Sequence, residues 1–83
     1  MQAYRSEIRN SPKEQTIKVY IKDASKLNMI KELLEENEFV RLVEIQQSMS
    51  RDRVGENITV FRNNNIDINA LKTSIDLLLD QYL

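Results

Sequence analysis

Two stretches of the chain alternate apolar and polar residues, a third alternates imperfectly, and two more repeat their apolar residues at helical spacing. Over Thr16–Lys22, Ile17, Val19 and Ile21 alternate with Lys18, Tyr20 and Lys22, which predicts a half-buried strand. Leu27, Ile30, Leu33 and Leu34 then fall on one helical face, with Asn37 closing the stripe and either Asp23 or Ser25 supplying the cap. Phe39–Met49 reads as a second strand. Val43 and Ile45 share one parity and Val40 and Leu42 the other, so it is either partly buried on both faces or bulged. Asn57–Arg62 is a third strand, reached through a polar connection over 50–56 around Gly55, and the simplest pairing of the two is an antiparallel hairpin. Asn63-Asn64-Asn65 is a loop, since asparagine tolerates left-handed backbone. Asp67 caps a last helix over Ile68–Tyr82, with a stripe of Ile68, Leu71, Ile75, Leu78 and Tyr82 that Leu79 widens.

Strand, helix, strand, strand, helix is the resulting order. Burying both helical stripes together places the helices on one face of an antiparallel sheet, a two-layer α+β sandwich. A right-handed β-α-β crossover puts the third strand between the first two. The arrangement resembles the ferredoxin-like fold, β-α-β-β-α-β, lacking its last strand. Residues 1–15 are either an N-terminal arm or an extra strand. Tyr4 and Ile8 lie where such a strand would fill the vacant edge, after which Asn10-Ser11-Pro12-Lys13 makes a turn.

Composition narrows the chemistry sharply. The 83 residues make one small domain, with 16–83 as its body. Cysteine and histidine are both absent, which excludes disulfides, thiol nucleophiles, histidine bases and Ser-His-Asp triads. A single glycine, Gly55, excludes glycine-rich phosphate cradles. Acid–base catalysis needs a group that titrates near neutrality, and no carboxylate is marked by the pattern as buried. Asp76 and Asp80 share a helix face, but Lys72 precedes Asp76 by four residues, so the group reads as an ion pair rather than a metal site. The expectation is a protein without enzymatic activity, cofactor or metal. The longest apolar run, Leu77-Leu78-Leu79, cannot span a membrane. With no secretory signal in view, a cytoplasmic location is expected.

Charge is nearly balanced, at −1, but unevenly spread. Residues 1–31 are basic and 32–44 strongly acidic, with Glu32, Glu35 and Glu36 crowding the first helix's C-terminal end. Strand parity gives the sheet face without helices Lys18, Tyr20 and Lys22 from the first strand and Thr59 and Phe61 from the third. Aromatics among lysines on an open sheet are a stacking platform for single-stranded nucleic acid, and Arg51 and Arg53 of the hairpin loop would grip phosphates. The same face equally suits a protein partner or a second copy. Ala70, Thr73, Ser74, Leu77 and Gln81 form an uncharged strip on the back of the last helix, where Leu77 marks a further contact surface.

From Ile17 to Ile45 the chain reads Ile-Lys-Val-Tyr-Ile-Lys-Asp, then a helix holding Lys-Glu-Leu-Leu-Glu-Glu, then Glu-Phe-Val-Arg-Leu-Val-Glu-Ile. This resembles a loose class of small bacterial antitoxin-like proteins. Those share a short strand ending in Asp, a helix with a Glu-Leu-Leu core and a Phe-Val strand. The resemblance implies a non-enzymatic protein that binds and restrains a partner. The reading is therefore a protein-interaction module, antitoxin-like or regulatory, or self-associating as a homo-oligomer. The alternative is a single-stranded nucleic-acid-binding protein that uses the open sheet face.

Overall fold

The computed structural model describes residues 3–50 and 53–83, with the side chains of 47–50 and 53–56 outside that description. Six elements follow in order: β1 (Tyr4–Asn10), β2 (Gln15–Ile21), α1 (Leu27–Glu35), β3 (Val40–Ser50), β4 (Arg53–Arg62) and α2 (Ile68–Tyr82). The sheet runs β1-β2-β4-β3 with every neighbouring pair antiparallel. β2 and β3 are thus parallel to each other, joined through α1, with β4 inserted between them. That is the strand order expected, with the third predicted strand between the first two. α1 lies over β3 and β4, and α2 over β1 and β2, so both helices cover one face. The molecule is a two-layer α+β sandwich.

The core is what the alternation predicts. Ile17 and Val19 of β2 and Ile58 and Val60 of β4 are completely buried. They meet Leu27, Ile30 and Leu34 of α1 and Ile68, Leu71, Ile75 and Leu79 of α2. The α2 stripe turns on Leu79 rather than Leu78: Leu79 is buried, Leu78 half-buried and Tyr82 exposed. A spacing of three, four and four residues follows the 3.6-residue turn more closely over the sheet, and so carries the last turn's contact to Leu79.

Local chemistry sets the ends of the elements. Asp23 accepts hydrogen bonds from Ser25 N and Ser25 Oγ and caps a 3-10 turn, Ala24–Lys26, that leads into α1. Asp67 accepts from Asn69 N at the start of α2. Asn65 has φ 65°, the left-handed conformation expected of the asparagine loop. Asn37 ties the helices together: its Nδ2 donates to Ser74 Oγ at 2.8 Å and its Oδ1 accepts from Phe39 N at 2.9 Å. In β3 the register shifts between Val40 and Leu42, a bulge that puts both Val40 and Val43 inside. The polar connection expected over 50–56 is shorter than that. β4 begins at Arg53, opposite Ser50, so the hairpin strands extend beyond the last β2–β4 rung at Tyr20–Asn57.

Residues 4–10 form the extra strand, paired with β2 from Tyr4–Ile21 to Asn10–Gln15. It occupies the edge left vacant by the missing last strand of the ferredoxin-like pattern. Polar side chains pin it to α2. Tyr4 Oη donates to Asp80 Oδ1 at 2.9 Å and Ser6 Oγ donates to Asp76, which also takes Lys72 Nζ at 2.8 Å. The carboxylates of α2 thus hold the N-terminal strand. Burial pushes the Tyr4 phenol up to about 12, helped by the hydrogen bond to Asp80 and the charges of Asp76 and Asp80. The folded-state value lies above the unfolded one. The stabilisation is therefore complete below the ordinary phenol value of 10.0 and is lost as pH rises toward about 12. Thermal unfolding followed from neutral to strongly alkaline pH should show Tyr4→Phe less stable by about 1 kcal/mol at neutrality, with the difference shrinking above pH 10. A difference that stays constant across that range would show that the phenol is not held as described.

Candidate functional site

The helix-free face of the sheet collects most of the residues that sequence parity assigned to it. The rungs across β2 and β4 place Thr16 opposite Phe61, Lys18 opposite Thr59 and Tyr20 opposite Asn57. β3 adds Leu42 beside Phe61, Glu44 beside Thr59 and Gln46 beside Asn57. β1 adds Arg9, Glu7 and Arg5 beside Thr16, Lys18 and Tyr20. Lys22 lies just beyond β2, its N–H donating to Ala3 O at 3.0 Å.

Tyr20 and Phe61 stand on adjacent central strands but two rungs either side of the Lys18–Thr59 rung, roughly 13 Å apart along the sheet. They are two separate aromatic positions, each with its own cation. The Arg5 guanidinium lies 4.8 Å from the centroid of the Tyr20 ring, and Arg9 donates to Tyr20 Oη at 3.2 Å. The Arg41 guanidinium lies 5.9 Å from the Phe61 centroid and is held by Glu14 at 2.7 Å. Glu7 in turn pairs with Arg9 at 2.7 Å. Next to Phe61, Leu42 is 44% exposed, giving the face an apolar corner.

The centre of the face is polar and buried. Asn57 is 3% exposed and Thr59 5% exposed, walled in by the side chains of the flanking strands. Among the described residues Asn57 Oδ1 and Thr59 Oγ1 have no hydrogen-bond partner. On either side of Thr59, Lys18 and Glu44 make no ion pair among the described residues. An unsatisfied buried polar atom costs about 1–3 kcal/mol, so this row is a place where the fold is less stable than it need be.

Other expectations are corrected. Thr59 lies on the open face but is buried there rather than presented. Arg53 is not in a loop: it opens β4 opposite Ser50, eight residues and roughly 26 Å along the strand from Phe61. It has the strand parity of Asn57, Thr59 and Phe61, and its side chain and the whole of Arg51 lie outside the described residues. Leu77 does face away from the sheet, 67% exposed, beside a shallow groove between the helices lined by Leu33, Asn37, Ser74 and Tyr82. Sequence reasoning missed Arg5, Arg9, Arg41, Leu42, Glu44 and Asn57. Alternation along Tyr4–Asn10 would have found the first two. The bulge in β3 hid the next three by breaking parity, and Asn57 was read as the first residue of the third strand with nothing in its own character to mark it as buried.

Among the described residues no group of three or more carboxylates could hold a metal, and no helix is long and apolar enough to cross a membrane. Comparison with protein-family models, with curated proteins and with solved structures gives no match to this chain.

Thr59→Val tests the central row directly. Replacing the orphan hydroxyl by a methyl of the same shape should raise the unfolding free energy of the isolated protein by about 1 kcal/mol in a denaturant titration. A loss of stability would mean that the hydroxyl is satisfied in solution.

Proposed function

We propose that this chain is a non-catalytic interaction module that docks a protein partner on its helix-free sheet face. The observation that carries the reading is the ring of aromatic and arginine side chains on that face, Arg5 over Tyr20 and Arg41 over Phe61, beside the exposed Leu42. Protein interfaces concentrate aromatic and arginine anchors around a desolvated centre. Here Tyr20, Phe61, Arg5 and Arg41 surround the orphan row, and Leu42 supplies an apolar corner. A partner would contact the exposed side chains that ring this closed row rather than the row itself. Lys18 and Glu44 would add one charge of each sign to the contact. A module that binds and restrains a partner is also what the antitoxin-like resemblance of residues 17–45 implies.

A single-stranded nucleic acid fits the face less well. Bases would stack on ring faces that Arg5 and Arg41 already occupy. Glu7, Glu14 and Glu44 lie within the same patch and work against phosphates.

Native mass spectrometry of the protein isolated gently from its source tests the reading. A stoichiometric protein partner is expected, and the Tyr20→Ser, Phe61→Ser double variant should lose it while keeping its circular dichroism and melting curve. Each anchor should be worth roughly thirtyfold in affinity. A partner retained at full affinity by the double variant would place the contact elsewhere. Bound oligonucleotide that dissociates with salt would replace this reading with the nucleic-acid one, carried by Lys18, Tyr20, Lys22 and Phe61.

A further inference from the structure

The two edges of the sheet are not alike. β1 and β3 are the outermost strands. Along β1, Arg5, Glu7 and Arg9 fall at every second residue and pair with each other, Arg9–Glu7 at 2.7 Å and Arg5–Glu7 at 3.9 Å. Charge of this density is how natural sheets guard an edge against pairing with another chain. β3 has no such guard. From Leu42 to Ser50 it carries one charged residue, Glu44, and neither lysine nor proline. It is also the longest strand, eleven residues against seven in β1.

Which backbone groups this edge presents follows from the ladder. Lys22 N donates to Ala3 O, and Ser11 N to Glu14 O, so the β1–β2 rungs bonded to each other are those carrying even-numbered β2 residues. Bonded and non-bonded rungs alternate, and each strand turns alternate residues to opposite neighbours. The odd residues of β2 therefore bond to β4, the odd residues of β4 bond to β3, and the even residues of β3 are used up. Asn63 N donating to Phe39 O continues the same parity. Val43, Ile45, Gln47 and Met49 are left with N–H and C=O groups directed outward along an uncovered edge.

We propose that β3 pairs antiparallel with β3 of a second copy, across a two-fold axis perpendicular to the sheet near Ile45 and Gln46. A second copy is the occupant that this edge fits best. Its near-neutral sequence meets itself without repulsion, because either register sets Glu44 opposite Gln46 or Ser48 of the other copy rather than opposite Glu44. The operation joins two four-stranded sheets into one of eight strands, with all four helices on one side. The charged β1 strands become its outer limits, and the two open faces merge. The seam is made by backbone groups of the β3 edge rather than by the side chains of the open face, so Gln47→Pro acts on the dimer alone, whereas Glu44 and Gln46 border both surfaces.

Sedimentation velocity on the isolated protein, from low to high micromolar concentration, is the test. A species of twice 9.8 kDa is expected. Gln47→Pro removes an outward N–H that the monomer does not use, which an edge strand tolerates. It should halve the mass and leave the melting curve of the monomer intact. Should proline disturb the hairpin, the Glu44→Lys, Gln46→Lys double variant probes the same seam by placing lysines of both copies across it, and it too should halve the mass. A wild-type chain that stays monomeric throughout overturns the proposal. So does a dimer that survives both sets of substitutions, or one that only Tyr20→Ser, Phe61→Ser dissociates.

Discussion

Ile17 faces Val60 and Val19 faces Ile58 across the two central strands, and all four side chains are completely buried. These rungs constrain the rest of the molecule. A slip of one residue in either strand would carry Lys18, Tyr20 or Thr59 under the helices and expel the core, so the register is held by the full cost of burying those polar groups. Once it is held, the opposite face is decided too. Every residue the open surface presents on β2 and β4 is there because its neighbour is in the core.

The N-terminal strand shows how a short chain completes such a sheet. A β-α-β-β-α chain leaves the outer side of β2 unpaired. β1 supplies the missing rungs from the other end of the sequence, and Tyr4 and Ser6 anchor it to Asp80 and Asp76 of α2. The carboxylates that looked like one half of a solvated ion-pair pattern are also acceptors for that strand. Lys72 neutralises Asp76, as its i,i+4 spacing suggested, and the pair now serves a tertiary contact rather than a helix surface alone.

Much of this architecture was legible in the sequence, and the failures share a cause. Strict alternation in β2 and β4 and the helical stripes placed the core, the layers and the strand order. The asparagine loop and the cap at Asp67 were readable because each has a local mechanism; of the two residues offered for the first helix, Asp23 or Ser25, Asp23 caps the 3-10 turn ahead of it and α1 itself has no side-chain cap. What was not readable depended on pairing. The β3 bulge breaks parity at Arg41, so Leu42 and Glu44 could not be assigned a face from periodicity. Where β4 begins is set by the hairpin register rather than by composition. Gly55 and the polar residues around it suggested a loop, yet Gly55 lies in the ladder opposite Ser48. Of the candidate site, Lys18, Tyr20, Thr59 and Phe61 were read onto the open face and Asn57 was missed, while the burial of Thr59 and Asn57 was not legible because it comes from neighbouring strands and not from the residues' own character.

That centre matters for how the whole surface is understood. A domain of this size is stable by about 5–15 kcal/mol at most, and two orphan polar atoms at about 1–3 kcal/mol each are a large fraction of that. Valine at position 59 would fit the strand equally well without the cost, and asparagine is among the residues least suited to a strand interior. The chain otherwise obeys local rules closely, in its alternation, its caps and its guarded β1 edge. Departures from such rules that cluster in one place, ringed by aromatic and arginine side chains, mark a surface shaped for something other than the stability of the isolated fold. Among the described residues, the open face and the β3 edge are both places where polar groups are left unanswered within the monomer.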